Sequence, residues 1–299
     1  MKILVVGGGG MIGGHAALHL AEEGHEVTVA GRTAPAAGTP LGDLPFIKCD
    51  YIAADLPREV WAGFDALVFA AGNDIRHLPK GADARTHWRV SNSEAVPRFF
   101  ASARDGGVKI AVNIGSFYPQ AMPSLVAVNP YVESRKLADD GVRALNGPGF
   151  RAMSVNAPFV VGAPRGMIVQ MFKAYTDYAH GRMAPMPEFA PPGGVNFIST
   201  LSLAEAVHGA LLHGKGGHAY LVGDENLSFG EYFGAFFEAA GRPVPPVLDQ
   251  EHPMLPDSAM YFGRGNSLFY ETDAAECALL GYRRGDVVAA INEIVATHS

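Results

Sequence analysis

The sequence contains few cysteines and no long apolar run. Its two cysteines among 299 residues, Cys49 and Cys277, are too few for a disulfide framework and lack metal-type spacing. No apolar stretch reaches the roughly 20 residues of a membrane helix, so we expect no membrane association. One lysine and a glycine-rich segment stand at the N-terminus in place of a signal-peptide pattern, and we therefore expect a cytoplasmic protein.

Basic charge is also scarce. The sequence has 23 Lys and Arg against 30 Asp and Glu, and the net charge of −7 argues against a general nucleic-acid binder. A small anionic ligand is still compatible, because one or two cations suffice to bind it. His15 and His19 are four residues apart on a predicted helix, but we identify no acid or cysteine that joins them, so no metal site is predicted.

The most informative motif follows an apolar, strand-like segment at residues 3–6. Gly7, Gly10 and Gly13 have the spacing G-x-x-G-x-x-G, and Met11 and Ile12 begin a helical pattern between them. These glycines allow a sharp strand-to-helix turn, a close approach by a pyrophosphate, and tight helix–strand packing. The free N–H groups at the helix start would bind the phosphates. A glycine-rich turn in another kind of α/β protein is the alternative interpretation.

Strand-like and helical segments alternate through the first half of the chain. This order predicts an α/β fold of the Rossmann type, with a doubly wound parallel sheet. The predicted strands cover about 26–30, 46–49, 65–72, 108–114 and 151–156, and the main helices cover 83–104 and 131–145.

The pattern changes after Pro158. We predict a loop at 184–194, a helix at 203–213, a strand at 218–222, a helix at 228–240 and irregular structure at 242–256. The 228–240 helix carries an aromatic stripe that we interpret as packing, not as a ligand surface: Phe229, Phe233, Phe236 and Phe237. We predict a dinucleotide-binding Rossmann domain at 1–162 plus about 196–222, and a smaller C-terminal substrate-binding lobe at about 163–195 plus 223–299.

Arg32 bears on the choice of cofactor. An NAD site usually has an acidic residue about 20 residues past the glycines, whereas the second strand here ends in Gly31-Arg32-Thr33. Arg32 can bind a 2′-phosphate through paired N–H donors, so we predict NADP(H) in preference to NAD(H). Asp50, after the next strand, could accept a hydrogen bond from the adenine amine or simply form a turn.

Ser116 and Tyr131 mark the catalytic end of the predicted sheet. Asn113-Ile114-Gly115-Ser116 ends a predicted strand, and Tyr131 opens the helix that follows. Together with the glycine turn, these motifs resemble the extended (or atypical) short-chain dehydrogenase/reductase family, in particular its NAD(P)-dependent epimerase/dehydratase-like members.

The resemblance continues along nearly the whole chain and implies further cofactor-binding residues. They are Ala70, Ala71 and Gly72 after the fourth strand, Asn92 in the long helix, and Ala157, Pro158 and Phe159 beside the nicotinamide. Later segments at 196–206 and 279–282 also match. The resemblance implies a homodimer formed through helices near 83–104 and 131–145.

In the family, the tyrosine moves a proton at the substrate oxygen while hydride moves to or from the nicotinamide, and the serine holds the same oxygen. A lysine one turn later binds the ribose and lowers the tyrosine pKa from near 10. Ser116 and Tyr131 match the first two positions, but Arg135 stands where the lysine is expected. Lys136 lies one residue late, about 100° around the helix. Arg135 could replace the lysine, a distortion could bring Lys136 into the site, or the catalytic machinery could be impaired.

The expected function is an NADP(H)-dependent oxidoreductase that acts on a hydroxyl or carbonyl carbon of a small, apolar or aromatic substrate. The alternatives are a sugar-nucleotide epimerase/dehydratase, for which Arg165, Arg182 and Arg264 could bind a diphosphate, and a non-catalytic NADP-binding regulator. Candidates for the substrate mouth are Asn73, Asp74, Arg76, His77 and Tyr118.

Overall fold

The structure is a computed structural model and describes residues 1–298, apart from the side chain of Arg76. Its strands are β1 (Lys2–Val6), β2 (Glu26–Gly31), β3 (Phe46–Lys48), β4 (Ala66–Phe69), β5 (Ile110–Ser116), β6 (Arg151–Ala157), β7 (Phe159–Val161), β8 (Gly194–Ser199), β9 (Ala219–Leu221), β10 (Glu225–Ser228) and β11 (Ser267–Leu268). Its α-helices are α1 (Met11–Glu22), α2 (Arg58–Trp61), α3 (Ala84–Trp88), α4 (Ala95–Gly106), α5 (Tyr118–Ala121), α6 (Pro130–Ala144), α7 (Gln170–Ala179), α8 (Thr200–His213), α9 (Phe229–Ala239), α10 (Ala274–Leu280) and α11 (Val287–His298).

A parallel sheet of seven strands forms the main layer, in the order β3-β2-β1-β4-β5-β6-β9. Helices cover both of its faces, which is why strands such as β4 consist of consecutive buried residues. The chain moves outward from β1 in one direction through β2 and in the other through β4. A doubly wound sheet binds its ligands at this reversal, outside the carboxyl ends of the strands. The predicted fold class is confirmed.

A second, smaller sheet is built around β8, which pairs with β7 and β11 in parallel and with β10 in antiparallel orientation. Helices α7, α9 and α11 pack together beside it. The aromatic stripe of α9 is buried to 1% exposure or less at all four positions, so its interpretation as packing is confirmed. Both β7 and the latter part of β8 come from segments assigned in sequence to the dinucleotide-binding domain. The domain boundaries themselves stay a prediction.

The helix predicted at 83–104 is wrong in one respect, because it is interrupted. A π-helical segment, Arg89–Glu94, separates α3 from α4. Pro97, in the first turn of α4, has no N–H to donate, and its ring would crowd the carbonyl of Ser93 in an ordinary α-helix. The wider turn relieves this conflict. Among residues 1–298, no helix is long and apolar enough to cross a membrane.

Candidate active site

The glycine turn joins β1 to α1 with no room for side chains. Gly7 has φ +80°, and a Cβ there would lie 2.8 Å from the backbone carbonyl carbon and oxygen of Ala70. A Cβ on Gly13 would lie 2.3 Å from the carbonyl oxygen of Gly7. Both positions therefore require glycine, one for the turn and one for the approach of the helix to the strand.

The N-terminus of α1 is open for an anion. Gly10 caps the helix without a side-chain hydrogen bond, and the first turn, which starts with the half-buried Met11 and Ile12, carries no acidic residue. Uncapped N–H groups and the positive end of the helix dipole suit a pyrophosphate. These residues fit the phosphate part of a dinucleotide cofactor.

Arg32 and Asp50 lie at the ends of neighbouring strands, and both are exposed. No carboxylate of the described residues lies within ion-pair distance of the Arg32 guanidinium, which leaves it able to bind an added anion. Asp50 accepts a hydrogen bond from the backbone N–H of Ile52 at 3.1 Å, so it forms a local turn.

Tyr131 lies in the first turn of α6, which the sequence defines clearly. The Asn129 side chain accepts hydrogen bonds from the backbone N–H groups of Tyr131 and Val132, and Pro130 occupies the first helical position. The Tyr131 ring is 8% exposed and packs between Trp88, at 5.5 Å between centroids, and Tyr261, at 5.2 Å. The cap fixes the start of α6, and the two rings hold the Tyr131 side chain in place.

Ser116 is the last residue of β5, where it pairs in register with Ala157 of β6. Its side chain is 8% exposed, and its hydroxyl makes no hydrogen bond to any other described residue. The preceding Gly115 has no space for a Cβ, which would lie 1.7 Å from Oδ1 of Asn156. The hydroxyl of Ser116 is thus held at the strand end and able to bond a ligand.

Arg135 lies one turn after Tyr131 and reaches under Gly72. Its Nη2 donates to the carbonyl oxygen of Ile114 at 3.0 Å, and a Cβ on Gly72 would lie 2.2 Å from its Nη1. The residue is only 9% exposed, and it forms no ion pair with any carboxylate in the described part of the chain. Lys136 instead bonds Asp140 on the outer side of α6, with its side chain 44% exposed. Of the two cations, the structure places only Arg135 against the ends of β4 and β5.

Asn92 belongs to the π-helical segment and holds other parts of the site. Its side chain accepts from the backbone N–H of Asn73 and donates to the carbonyl oxygen of Asn73, both at 3.0 Å, and it donates to Ser134 Oγ at 3.1 Å. Ser134 in turn donates to the carbonyl oxygen of Tyr131 at 2.7 Å. The amide of Asn92 is therefore engaged with protein groups and not directed at a ligand.

Two of the residues predicted at the substrate mouth are buried in this structure. Asn73 is 8% exposed and donates from Nδ2 to the hydroxyl of Tyr51 at 2.7 Å. Tyr118 is 4% exposed and lies below the surface. Asp74 and His77 do reach the surface, where Oδ1 and Nδ1 are 3.1 Å apart. The side chain of Arg76 lies outside the described part of the structure.

An aromatic cluster surrounds the Tyr131 ring. Tyr261 contacts both Tyr131 and Tyr118, and its ring centroid is 5.3 Å from that of Tyr118. The ring of Phe117 packs against Tyr118 at 4.2 Å in a tilted orientation. Burial, and secondarily the neighbouring Tyr131, raise the pKa of both Tyr118 and Tyr261, so these two hydroxyls stay protonated. The sequence analysis did not identify Tyr261, because no local motif marks a residue that lies so far along the chain.

The three arginines considered for a diphosphate all have carboxylate partners. Arg182 Nη1 lies 3.2 Å from Asp177 Oδ1, and Arg264 Nε lies 3.4 Å from Asp257 Oδ1. Arg165 pairs with Glu22 on the surface. None of the three is therefore an unpaired cation that could bind the second phosphate group of a diphosphate.

The parallel sheet and the glycine turn define the fold of a dinucleotide-dependent enzyme of the short-chain dehydrogenase/reductase type, with Ser116 at the end of β5 and Tyr131 at the start of α6. The sequence model of the NAD dependent epimerase/dehydratase family matches residues 3–223. The chain belongs to this family, and the resemblance stated from the motifs is confirmed. The comparison with curated protein sequences found no match.

Solved structures share the fold over essentially the whole chain. UDP-glucose-4-epimerase from Stenotrophomonas maltophila, with bound NAD and formylated UDP-arabinopyranose, has a TM-score of 0.75 at 17% identity, covering 100% of this chain and 97% of that one. UDP-glucose 4-epimerase from Bifidobacterium longum, in complex with NAD+ and UDP, has 0.74 at 17%, covering 99% and 98%. UDP-N-acetylglucosamine 4-epimerase from Methanobrevibacter ruminantium M1, in complex with UDP-N-acetylmuramic acid, has 0.75 at 15%, covering 99% and 97%. At these identities, the likeness concerns the fold.

Proposed function

We propose that this protein is an NADP(H)-dependent oxidoreductase that interconverts a hydroxyl and a carbonyl on a small apolar or aromatic substrate. The observation that carries the proposal is the placement of Arg135. A buried guanidinium without a carboxylate partner lies one helical turn after Tyr131 and against the ends of β4 and β5. A buried cation is costly unless a ligand or a partner group compensates it.

Tyr131 is the proposed acid/base, and Ser116 is the group that orients the substrate oxygen. In the reductive direction, the Tyr131 hydroxyl gives its proton to the substrate oxygen as the carbonyl becomes a hydroxyl, and Ser116 Oγ donates a hydrogen bond to that oxygen. In the oxidative direction, the Tyr131 oxygen receives the proton. The nicotinamide, when bound, supplies or accepts the hydride.

Arg135 takes the role that the family gives to a lysine. Its remaining N–H donors can bind the ribose hydroxyls. The guanidinium is larger than an ammonium and always charged. It fits here because Gly72 has no side chain, since a Cβ there would lie 2.2 Å from Nη1 of Arg135.

The remaining proposed cofactor contacts follow the strand ends. Gly7, Gly10 and Gly13, with Met11 and Ile12, bind the pyrophosphate. Ala70, Ala71 and Gly72 border it, and Ala157, Pro158 and Phe159 border the nicotinamide. Asn92 contributes by positioning, because its amide is bonded to Asn73 and Ser134.

NADP(H) is the proposed cofactor because of Arg32. The guanidinium is exposed just after β2, where the ribose of the adenosine half binds in such sheets, and no described carboxylate neutralises it. A charge-assisted bond to a 2′-phosphate contributes about 1.5–3 kcal/mol, which is roughly 10- to 150-fold in affinity. Asp50 is a further proposed contact, to the adenine amine.

The proposed substrate class rests on the surroundings of Tyr131. Aromatic rings, among them Trp88 and Tyr261, enclose it, and the three arginines considered for a diphosphate are paired with carboxylates. A sugar-nucleotide epimerase is the second candidate function, favoured by the family and by the UDP-sugar ligands of the similar structures.

A homodimer is also proposed, because Leu137 is 48% exposed on α6, one of the helices expected at the interface. Sedimentation or light scattering will measure the mass in solution.

The proposal is tested by titrating the protein with NADPH and NADH while following nicotinamide fluorescence. We expect tighter binding of NADPH, and a loss of that preference in Arg32→Ala but not in Lys215→Ala, which removes a distant exposed cation. Screens of aldehydes, ketones and UDP-sugars follow with the preferred cofactor. Turnover of UDP-sugars alone would favour the epimerase. Binding of cofactor with no turnover of any substrate class would favour a non-catalytic regulator.

A further inference from the structure

A histidine-rich cluster lies on the opposite end of α1 from the glycine turn. His19 and Glu23 are one helical turn apart, at the last turn and C-cap of α1, and His208 faces them from the packed helix α8. One ligand atom from each of these three residues lies within 4.8 Å of the other two. The rings of His19 and His208 are 5.7 Å apart, nearly perpendicular.

We propose that His19, Glu23 and His208 bind one divalent transition-metal ion, with zinc as the preferred occupant. Two imidazoles and one carboxylate form a donor set that zinc accepts in a tetrahedral site, leaving a fourth position for water. Ligand atoms around such a zinc ion are about 3.4 Å apart, as follows from bond lengths near 2.1 Å. Small rotations bring the three side chains to that distance, and Glu23 is exposed enough to move.

The electrostatics of the surrounding pocket favour a cation. The pocket has a volume of about 350 Å³, and its lining includes the carboxylate of Glu23 and a third imidazole from His213. The carboxylate of Glu205 also lines it but is paired with Arg283 at 2.6 Å, so Glu23 supplies the negative charge. The described lining residues include no lysine or arginine. The carboxyl end of α1 also faces this region, and a helix C-terminus carries partial negative charge.

A fourth histidine orients the cluster. Nε2 of His25 lies 3.1 Å from Nε2 of His208, and such outer contacts hold ligating imidazoles in one orientation. A bound ion would link α1, which carries the glycine turn, to α8.

The pair His15 and His19, taken alone, predicts no metal site. The informative local signal was the i, i+4 pair of His19 and Glu23, whereas His208 is distant in sequence and joins only through helix packing. The proposed catalytic residues take no part in this site.

The test is equilibrium dialysis and calorimetry of the chelator-treated full chain with zinc chloride, together with thermal unfolding with and without zinc. We expect one zinc ion per chain and a higher Tm with zinc. Glu23→Gln and His208→Ala should each raise the Kd at least tenfold and remove the Tm increase. The matched control is His218→Ala, because His218 pairs with Glu276 at 2.5 Å without a third ligand among the described residues.

Zinc binding by the unmodified chain and by the three variants decides between the outcomes. Loss of binding in the two cluster variants, with binding retained in His218→Ala, supports the site. Binding of less than one equivalent by the unmodified chain overturns it, and so does full binding by Glu23→Gln and His208→Ala. Circular dichroism checks that each variant is folded. Glu23→Gln changes an exposed side chain, so it remains informative if His208→Ala fails to fold.

Discussion

Replacing Gly72 by alanine is expected to move the Arg135 guanidinium without unfolding the protein. The new Cβ would lie 2.2 Å from Nη1, and ordinary contact begins near 3.4 Å, so the guanidinium must move by at least 1.2 Å. The obstacle is the far end of a flexible side chain, and Gly72 does not have a positive φ. The backbone can therefore stay in place while the cation is displaced.

The expected loss of activity is about 100-fold. A misplacement of about 1 Å in a catalytic constellation costs on the order of 10²-fold in rate. That factor corresponds to about 2.7 kcal/mol, which is close to one hydrogen bond from a charged donor, such as the bond from Arg135 to the carbonyl oxygen of Ile114. We expect kcat/KM to fall by this factor while the Tm falls by only a few degrees.

The assay is NADPH oxidation with the best substrate of the screen, with thermal unfolding measured in parallel. Gly141→Ala is the matched control, because Gly141 lies on α6, as Arg135 does, but away from the strand ends. Its Cβ would also make a short contact, at 2.6 Å from Cγ of Pro97 on α4. It should keep its kcat/KM. A second variant, Gly72→Ala with Arg135→Lys, should recover part of the activity, because an ammonium is smaller than a guanidinium.

Two results would refute this reasoning. One is a folded Gly72→Ala protein with unchanged kcat/KM, since the position of Arg135 would then not matter to turnover. The other is an equal loss from Gly72→Ala when Arg135 is already alanine, because the effect would then not pass through the guanidinium.

Three further predictions concern other parts of the molecule. Tyr131→Phe should lower turnover about 10²- to 10⁴-fold with NADPH affinity unchanged, whereas Tyr232→Phe, in α9, should keep both, as steady-state kinetics and fluorescence titration will measure. Gly13→Ala should abolish cofactor binding and lower the Tm, because its Cβ meets backbone at 2.3 Å, whereas Gly147→Ala, with no atom within 4 Å, should be neutral in the same titration. Burial lowers the pKa of His252 from 6.5 to about 4, so the folded state binds fewer protons between these values and the free energy of unfolding should fall by up to about 3 kcal/mol as pH drops from 6.5 to 4. Urea unfolding at pH 7 and pH 5 should give a smaller difference in His252→Phe than in the unmodified chain, and an unchanged difference would contradict the assignment.

The main sheet could be predicted because its signals are local. Consecutive apolar residues, as in β1 and β4, mark strands buried on both faces, and the glycine turn fixes where β1 ends. The second sheet could not be predicted, because β10 and β11 have four and two residues and form only through pairing with β8. Pairing partners distant in sequence leave no periodicity to detect.

The candidate site also contains residues marked by local features and residues placed only by tertiary contacts. Ser116 and Tyr131 stand next to local features, a strand end and a capped helix start, and these placed them correctly on their elements. Asn73 was expected at the surface, but a tertiary hydrogen bond to Tyr51 draws it inside. Tyr261 reaches Tyr131 from a distant segment, which a pattern along the chain does not reveal.

A buried chain of hydrogen bonds connects the proposed cofactor and catalytic regions. It runs from the Tyr51 hydroxyl, just beyond β3, through Asn73 to Asn92, and then through Ser134 to the backbone of Tyr131. Each member uses its polar groups on its neighbours, and buried polar networks are rigid when satisfied and costly when broken. Asn92 lies in the π-helical segment and bonds both Asn73 and Ser134 from there. Such wider turns recur at functional sites. The position of Tyr131 is thus tied to the segment after β4, the same segment whose glycine makes room for Arg135.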